Sequence, residues 1–457
     1  SNCLLSSRSL VRIQTESQIF FHYNSIFILH ENKLFNWKVA LGIVIIWIAP
    51  PFIYFLKELI GIGQTSIFAG IIYSLGLVLM LNHIPLKYFY KGNETLAFTG
   101  LSFFFLGFFY FIFYNTQKSS LIVDAINFSI LIGFIYCIFR IDDSIQYYIP
   151  LLIILVTLLN NVSLIYSIST NPNYVLGARA TVQYNKGTGE DFSGNPIVFG
   201  RNAVAGLIMS FLVIQRSNYD FLGNRSVLLK MIAHVNLLIS FIVLILTQTR
   251  GNFISLGLSI VFYLVFANYN FKNAFKSNRY VLAYYFILFL VLQYLNKAFR
   301  IVETFSRYSD QAYEFLLRAI NTGLGINNSS TPQDASALNR VQNIAFIKRI
   351  IARDWFDFIF GKGYKFWYVD IPALEAFVNF GILGCLLFCV FNLLIIYYII
   401  LGIKTKNIFQ NFISLFYINL FVSVFTGGRP LDFSYWVFYI ILIRFLLVLP
   451  KKNTLNG

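Results

Sequence analysis

Long apolar stretches recur along the whole chain, and each is about as long as a membrane crossing. A helix needs about 20 apolar residues to span the hydrocarbon layer. Twelve candidate spans can be drawn, at about 38–57, 67–84, 95–114, 120–140, 146–167, 196–215, 228–247, 252–268, 280–296, 373–401, 407–425 and 433–449. Only 12% of the 457 residues are charged, about half the share in a soluble domain. The sequence therefore predicts an all-α integral membrane protein with about 12 transmembrane helices.

The segments between spans divide the chain. Residues 1–35 are polar and lack the apolar region of a signal peptide; because the first methionine is Met80, they are interpreted as a fragment or a mis-assigned start. Helices 1–9 occupy 36–296 and include a loop at 168–195, and helices 10–12 occupy 373–457. The large loop at 297–372 lies between helices 9 and 10. These divisions follow from hydropathy alone.

The large loop contains a helical pattern of its own, in ALNRVQNIAFIKRIIARDWFDFIF. One face is apolar and the opposite face is basic, with Ile344, Ile347, Ile350 and Ile351 against Lys348, Arg349 and Arg353. Such a helix suits the membrane surface, and it suits equally a cap packed over the bundle.

Basic residues decide the predicted orientation. With the amino terminus inside, the inner segments hold seventeen lysines and arginines and the short outer loops six. Cytoplasmic loops carry the excess of positive charge, so both termini are expected to be cytoplasmic. The net charge of +16 is spread over loops that would meet anionic lipids. We expect membrane lipids, and no nucleic acid, as partners.

Outer arginines are the main candidates for chemistry. Arg250 lies in TQTRGN between two spans, and Arg201 lies in the first turns of the sixth span, in NPIVFGRNAVAG. Arginine inside a membrane helix is costly and tends to be functional. A guanidinium binds phosphate oxygens as a fork, so these residues would suit a diphosphate. The alternative is that they reach toward lipid headgroups.

Several motifs together resemble the O-antigen polymerase and O-antigen ligase superfamily. TQTRGNFISLGLSIVFYLV is similar to the family's Ser/Thr-x-Ser/Thr-Arg-Gly segment. ALNRVQNIAFIKRII with FGKGY resembles its arginine, amphipathic helix and Gly-x-Gly. DIPALEAFVNFGILG and GNPIVFGRNAVAG resemble its last outer helix and its Asn-Pro helix entry. The resemblance covers residues 179–384 in order.

The resemblance implies a bacterial inner-membrane glycosyltransferase that needs neither a metal nor another cofactor. Its donor and acceptor would be glycans on undecaprenyl diphosphate, joined on the outer face into O-antigen or capsular polysaccharide, with a chain-length regulator as a further partner. The loop 297–372 would then be periplasmic. Arg250 and Arg340 match the family's diphosphate-binding arginines, and Arg179 is a weaker candidate. Cations that stabilise the leaving diphosphate lower the barrier to transfer.

The sequence departs from the ligase pattern at one position. Ligases carry a histidine after the Gly-x-Gly, and counting back from Gly381 places it at Asp370. A carboxylate can accept the proton of an acceptor hydroxyl, so Asp370 and Glu375 are the candidate catalytic bases. The two residues lie on either side of Pro372, at the expected start of a helix. Acidic residues at this place also complement the helix dipole.

The remaining candidates lie in two outer segments. Arg429 and Asp432, in TGGRPLDF, would contact sugar or pair with each other. Tyr364 and Trp367, beside the Gly-x-Gly, are the first candidates for sugar stacking. The alternatives to a polymerase are an O-antigen ligase and a flippase or other transporter of the lipid-linked unit.

Overall fold

The structure is a computed structural model. It describes residues 36–61, 66–81, 89–116, 121–172, 174, 178–184, 192–215, 226–267, 293, 297, 302, 303, 306, 343, 345–348, 355–369, 371–405 and 407–448. The described part of the chain is helical apart from one short hairpin, in which β1 (Gln183–Tyr184) pairs antiparallel with β2 (Phe192–Ser193).

The described helices follow one another along the chain, with most of the large loop between the ninth and the tenth. They are α1 (Asn36–Ile48), α2 (Pro50–Ile60), α3 (Ser66–Met80), α4 (Glu94–Phe113), α5 (Leu121–Ile138), α6 (Ile149–Thr170), α7 (Pro196–Gln215), α8 (Ser226–Thr247), α9 (Arg250–Phe266), α10 (Trp355–Phe360), α11 (Pro372–Ile403), α12 (Ile408–Thr426) and α13 (Phe433–Phe445). A 3-10 turn at Asp143–Tyr147 precedes α6.

Seven of these helices are long and apolar enough to cross a membrane, within the part of the chain that the structure describes. They are α4, α5, α6, α7, α8, α11 and α12, and each coincides with a predicted span. The first predicted span is a bent pair, α1 and α2, which together could form an eighth crossing. Helices α3, α9 and α13 match further predicted spans but are shorter, and the predicted span at 280–296 lies outside the described residues apart from 293. Eleven of the twelve predicted spans therefore coincide with described helices, and seven of these, or eight with the bent pair, have the length of a crossing.

The first span breaks because of its prolines. Pro50 and Pro51 cannot donate backbone hydrogen bonds, and α2 leaves α1 at an angle of 76°. The Ile48 carbonyl at the break accepts a hydrogen bond of 2.8 Å from Nδ2 of Asn160 in α6. A side chain of a neighbouring helix thus bonds to the main chain at the break.

Amides join α6, α7 and α8 inside the bundle. Nδ2 of Asn160 donates to Asn202 at 2.7 Å, and Nδ2 of Asn202 donates to Asn161 at 3.0 Å. Asn161 in turn donates to Ser240 at 2.8 Å. These four side chains are buried. Hydrogen bonds across apolar helices of this kind contribute about 0.6 kcal/mol each, and they also fix which faces meet.

The long helix α11 is interrupted at Gly381, which has φ +68° and ψ −166°. The interruption leaves the carbonyls of Val378 and Asn379 without their helical donors. The amides of Lys362 and Gly363 donate to these two carbonyls at 2.8 and 3.0 Å. The Gly-Lys-Gly segment is therefore held against the first part of α11 by its main chain.

Glycine is required on both sides of this contact. Gly361 and Gly363 have φ of +75° and +106°, in the region that other residues rarely adopt. A Cβ on Gly381 would collide with the carbonyl of Ile359, and one on Gly361 would collide with the backbone of Asn379. The contact fixes residues 361–369 relative to the bundle.

Helix α13 lies at the centre of the molecule, since every residue from Tyr435 to Phe445 is buried. Trp436 packs against Phe103, Phe104 and Phe391, with ring centroids 6.2, 4.9 and 6.1 Å away. The end of the bundle that contains the first turn of α13 holds the candidate site and is called the site end. The last turn of α13 lies at the opposite end.

Candidate functional site

A buried ion pair joins two residues that the sequence predicts as functional. Nη1 of Arg429 lies 3.0 Å from Oε1 of Glu375. The Glu375 side chain is completely buried, while that of Arg429 is 29% exposed. Glu375 belongs to the first turns of α11, and Arg429 belongs to the turn between α12 and α13. The pair therefore connects the helix that follows the large loop to the central helix.

Both carboxylate oxygens of Glu375 are occupied. Oε2 accepts the backbone N–H of Val369 at 3.3 Å, and Oε1 accepts Nδ2 of Asn379 at 3.4 Å as well as Arg429. Val369 is fixed in turn because its carbonyl accepts Nδ2 of Asn343 at 3.1 Å. In this arrangement Glu375 anchors Arg429 and receives no solvent.

The Arg429 side chain is partly exposed. Its CZ atom lies 5.0 Å from the ring centroid of Tyr368, so the guanidinium is held on one face by the aromatic ring. Among the described residues, Nε and Nη2 of Arg429 have no hydrogen-bond acceptor. An arginine fixed through one nitrogen and open at the others is oriented to receive an anion.

Arg201 reaches the same turn from α7. Nη1 of Arg201 donates to Oγ of Ser434 at 3.1 Å, and Ser434 Oγ donates to Oδ1 of Asp432 at 2.7 Å. Oδ1 of Asp432 also accepts the backbone N–H of Ser434 at 2.9 Å and so caps α13. The guanidinium lies 5.2 Å from the Tyr435 ring centroid. Arg201 and Arg429 thus converge on the two sides of the Gly427–Asp432 turn. Asp432 and Arg429 do not pair with each other, which excludes one of the two predicted arrangements.

Arg179 and Arg250 lie at the turn between α8 and α9. The backbone N–H of Ala180 donates to the Leu246 carbonyl at 2.9 Å, and Nε of Arg179 donates to the Thr247 carbonyl at 3.4 Å. Arg250 is the first residue of α9 and is half-buried. Arg179 is therefore placed next to the turn that holds Arg250.

The two arginine groups are connected through α7. A Cβ on Gly200 would collide with the side chains of Thr249 and Asn252, so α7 approaches the α8–α9 turn only because Gly200 has no side chain. Oδ1 of Asn252 accepts Nδ2 of Asn419 in α12 at 2.9 Å. Arg201, the residue after Gly200, thus lies between the α8–α9 turn and the α12–α13 turn.

Two predicted site residues, Arg340 and Asp370, lie outside the described residues. Other positions of the same predicted amphipathic helix are described. Ile347 is buried against Val369, Phe377 and Val378, and Lys348 is exposed. Ile347 thus packs against protein and Lys348 is exposed, as the helical pattern predicts at these two positions. Most of the predicted surface helix lies outside the described residues.

The two predicted stacking rings differ. Tyr364 is only 2% exposed, and its backbone N–H donates to the Tyr114 carbonyl at 2.9 Å. Burial, reinforced by the nearby Asp124 carboxylate, raises the pKa of its hydroxyl well above the usual value. Tyr364 is therefore a packing residue, and the prediction that it stacks on sugar is wrong. Trp367 is 40% exposed and keeps an accessible face.

Sequence reasoning missed three contributors to the site. They are Asn379 and Val369, which bond to Glu375, and Tyr368, which lies under Arg429. Asn379 follows Glu375 by four residues, the spacing at which side chains on one helix face meet, so this signal was present. Within the described part of the chain, no three His, Cys, Asp or Glu residues lie together as a metal site requires.

No protein-family model and no curated protein sequence matches this chain. The geometry of the site end is therefore the basis for any functional conclusion.

Proposed function

We propose that this protein is a polymerase that joins undecaprenyl-diphosphate-linked oligosaccharide repeat units into O-antigen or capsular polysaccharide. The observation that carries the proposal is Arg429, held by the buried carboxylate of Glu375 with the rest of its guanidinium open. Three further arginines, Arg179, Arg201 and Arg250, lie on the neighbouring turns of the same end. The resemblance of the motifs around Arg250 and Gly381 supports the same conclusion.

The proposed chemistry needs positive charge at a fixed place. When a glycan leaves a lipid diphosphate, negative charge grows on the phosphate oxygens. Donors that already point at that charge stabilise the transition state by about 2.7–4 kcal/mol each, or about 10²–10³-fold in rate. Arg429 satisfies the requirement because its partner Glu375 is buried and its orientation is fixed before the substrate arrives.

The proton of the acceptor hydroxyl needs a separate acceptor. Glu375 is enclosed and its oxygens are occupied, so in the proposed mechanism it positions Arg429. Asp370, five residues earlier, remains the predicted base. Its chain neighbour Val369 donates to Glu375, the residue that holds Arg429.

The test uses purified protein and lipid-linked repeat units, with product length read on a gel. Arg429→Gln should lower the rate of polymerisation about 10²–10³-fold and leave a lipid-linked single unit. Arg429→Lys should recover only part of this, because an ammonium cannot keep Glu375 and also present a fork. Arg140→Gln, at the opposite end of the bundle, is the matched control and should polymerise normally.

Arg429→Gln leaves a buried carboxylate without its cation, so the double variant Arg429→Gln/Glu375→Gln separates folding from chemistry. It should be present in the membrane at the normal level and still fail to polymerise. Long chains from both variants would remove Arg429 from the mechanism. Transfer of a finished glycan to another acceptor would indicate a ligase, and translocation of units without joining would indicate a flippase.

A further inference from the structure

A cavity of about 420 Å³ lies at the site end, beside the arginine turns. It is enclosed by α2, α3 and α5 together with the residues that precede α7 and the first residue of α13. Tyr54, Lys57, Tyr73, Asn127, Asn195 and Phe433 are among the residues that line it. Its volume falls in the range of about 300–1,000 Å³ that small-molecule sites occupy. We call it the Lys57 cavity.

The Lys57 side chain is buried, and no carboxylate among the described residues pairs with it. Lys57 is only 5% exposed. Among the described residues, its ammonium makes neither an ion pair nor a hydrogen bond. The ammonium nitrogen lies 5.9 Å from the centroid of the Tyr54 ring. Lysine is almost never buried unless it is paired. A buried cation that no described carboxylate neutralises favours an anionic ligand in the pocket.

Two further polar groups of the cavity share this property. Within the described part of the chain, neither the Tyr73 hydroxyl nor the Asn127 side-chain amide makes a hydrogen bond to another residue. The Tyr73 ring stacks on Phe433 with centroids 4.8 Å apart. These three groups face the cavity without a hydrogen-bond partner in the described part of the chain, and the Tyr54 hydroxyl and the Asn195 amide line it as well. The lining therefore presents one positive charge, neutral hydrogen-bonding groups and an aromatic pair, and the Asp432 carboxylate lies close enough to act on Tyr54 and Tyr73.

This combination suits a sugar that carries a carboxylate. A single ammonium acts as a point charge and has no fork for a diphosphate, whereas one carboxylate needs one cation. The hydroxyl and the amide can bond to sugar hydroxyls, and the aromatic pair offers apolar surface to the C–H face of a pyranose ring. An acyl chain would use neither polar group.

The position of the cavity connects it to the proposed reaction. Phe433 directly follows Asp432, and Asn195 lies just before the helix that carries Arg201. The cavity thus opens beside the turns where the diphosphate is proposed to bind. We infer that the Lys57 cavity binds an acidic sugar residue, of the uronic-acid type, within the repeat unit being joined. This inference rests on the proposed function for the identity of the glycan.

The experiment measures binding to the purified full chain, without polymerisation. Methyl β-glucuronide and methyl β-glucoside, which differ by the carboxylate, are titrated by ligand-observed NMR. The glucuronide should bind at least about tenfold more tightly. Lys57→Met should remove the difference, and Lys38→Met, the same change at an exposed lysine of α1, should keep it.

Equal binding of the two glycosides to the wild-type protein would overturn the inference without any variant, so misfolding of Lys57→Met cannot obscure the result. A preference that survives Lys57→Met would also overturn it. Displacement of the glucuronide by phosphatidylglycerol in nanodiscs would assign the cavity to a lipid headgroup instead. Because the assay does not use polymerisation, a failed binding test with active wild-type protein would remove the acidic sugar and leave the polymerase proposal standing.

Discussion

The central helix α13 has an arginine near each end, and the two are used differently. Arg444, in its last turn, is completely buried, with Nη2 2.7 Å from Oδ1 of Asp143. Its terminal nitrogens also donate to the carbonyls of Ile141 and Lys91 at 2.7 and 3.3 Å. Arg429, just before the first turn, bonds through Nη1, and its side chain is 29% exposed. Among the described residues, both terminal nitrogens of Arg444 therefore have acceptors, whereas only one nitrogen of Arg429 has an acceptor.

This difference separates a cation that the fold encloses from one that remains partly exposed. Arg444 bonds to the segment before α4 and to the connection between α5 and α6, and it holds both segments against the end of α13. Its guanidinium lies 4.8 Å from the Phe445 ring centroid. Removing it would leave several carbonyls without donors. Glu375 and Tyr368 orient Arg429, but they accept a hydrogen bond from only one of its nitrogens. A guanidinium that the fold fixes and does not satisfy is available for a ligand.

The largest effect is expected from Arg444→Met. Breaking a buried ion pair by removing one partner costs about 3–5 kcal/mol, so the free energy of unfolding should fall by about this amount. Unfolding in mixed micelles, followed by circular dichroism, measures it. Lys38→Met, at an exposed position of α1, should change it little. If Arg444→Met is as stable as Lys38→Met, the distinction between the two arginines fails.

A smaller effect is expected from Glu375→Gln. Glutamine keeps the shape and can still accept from Arg429, but a charge-assisted hydrogen bond is about twice as strong as a neutral one. The rate of polymerisation should fall roughly tenfold, whereas Asp370→Asn, which removes the predicted base, should lower it about 10²–10⁴-fold.

Glu94→Gln is the matched control for this pair, since Glu94 is exposed at the start of α4. A loss of a thousandfold or more with Glu375→Gln, together with a normal rate for Asp370→Asn, would make Glu375 the base. The roles of positioning residue and base would then be exchanged.

The smallest effect is expected from Tyr368→Leu. An exposed cation–π contact contributes about 0.5–1 kcal/mol, so the rate should fall about two- to fivefold through looser positioning of Arg429. Tyr368→Phe keeps the ring and should be normal in the same assay. A loss with Phe equal to that with Leu would mean that the hydroxyl, and not the ring, is what matters.

The positions of helices could be predicted from sequence, but their shapes could not. Seven predicted spans are full-length helices, because a run of apolar residues needs no knowledge of its neighbours. The bend at Pro50 and the interruption at Gly381 were missed, although Pro-Pro and a glycine within a span are visible signals. Whether such a residue bends a helix depends on which groups donate to the carbonyls at the break. These donors are Asn160 at the first break and the amides of residues 362 and 363 at the second.

The candidate site shows the same limit. Arg429, Glu375, Arg201 and Arg250 could be chosen because charge is rare in and around apolar spans. The pairing of Glu375 with Arg429 could not be predicted, since the residues are 54 positions apart and only the packing of α11 against its neighbours brings them together. Arg444 was missed because it lies within the last predicted span and was counted with its apolar neighbours. Lys57 was counted among the six basic residues of the short outer loops, because no signal in the sequence shows that its side chain is buried.

The contact between the Gly-Lys-Gly segment and α11 is made by main-chain atoms. The two amides and the two carbonyls would remain in place if the side chains of Lys362, Val378 or Asn379 were exchanged, whereas glycine is required at 361, 363 and 381. Sequence drift is therefore restricted at three positions and tolerated around them. Related chains could replace most of the large loop while keeping the same attachment. The spacing of these three glycines is therefore a sequence pattern with which distant relatives of this chain could be sought.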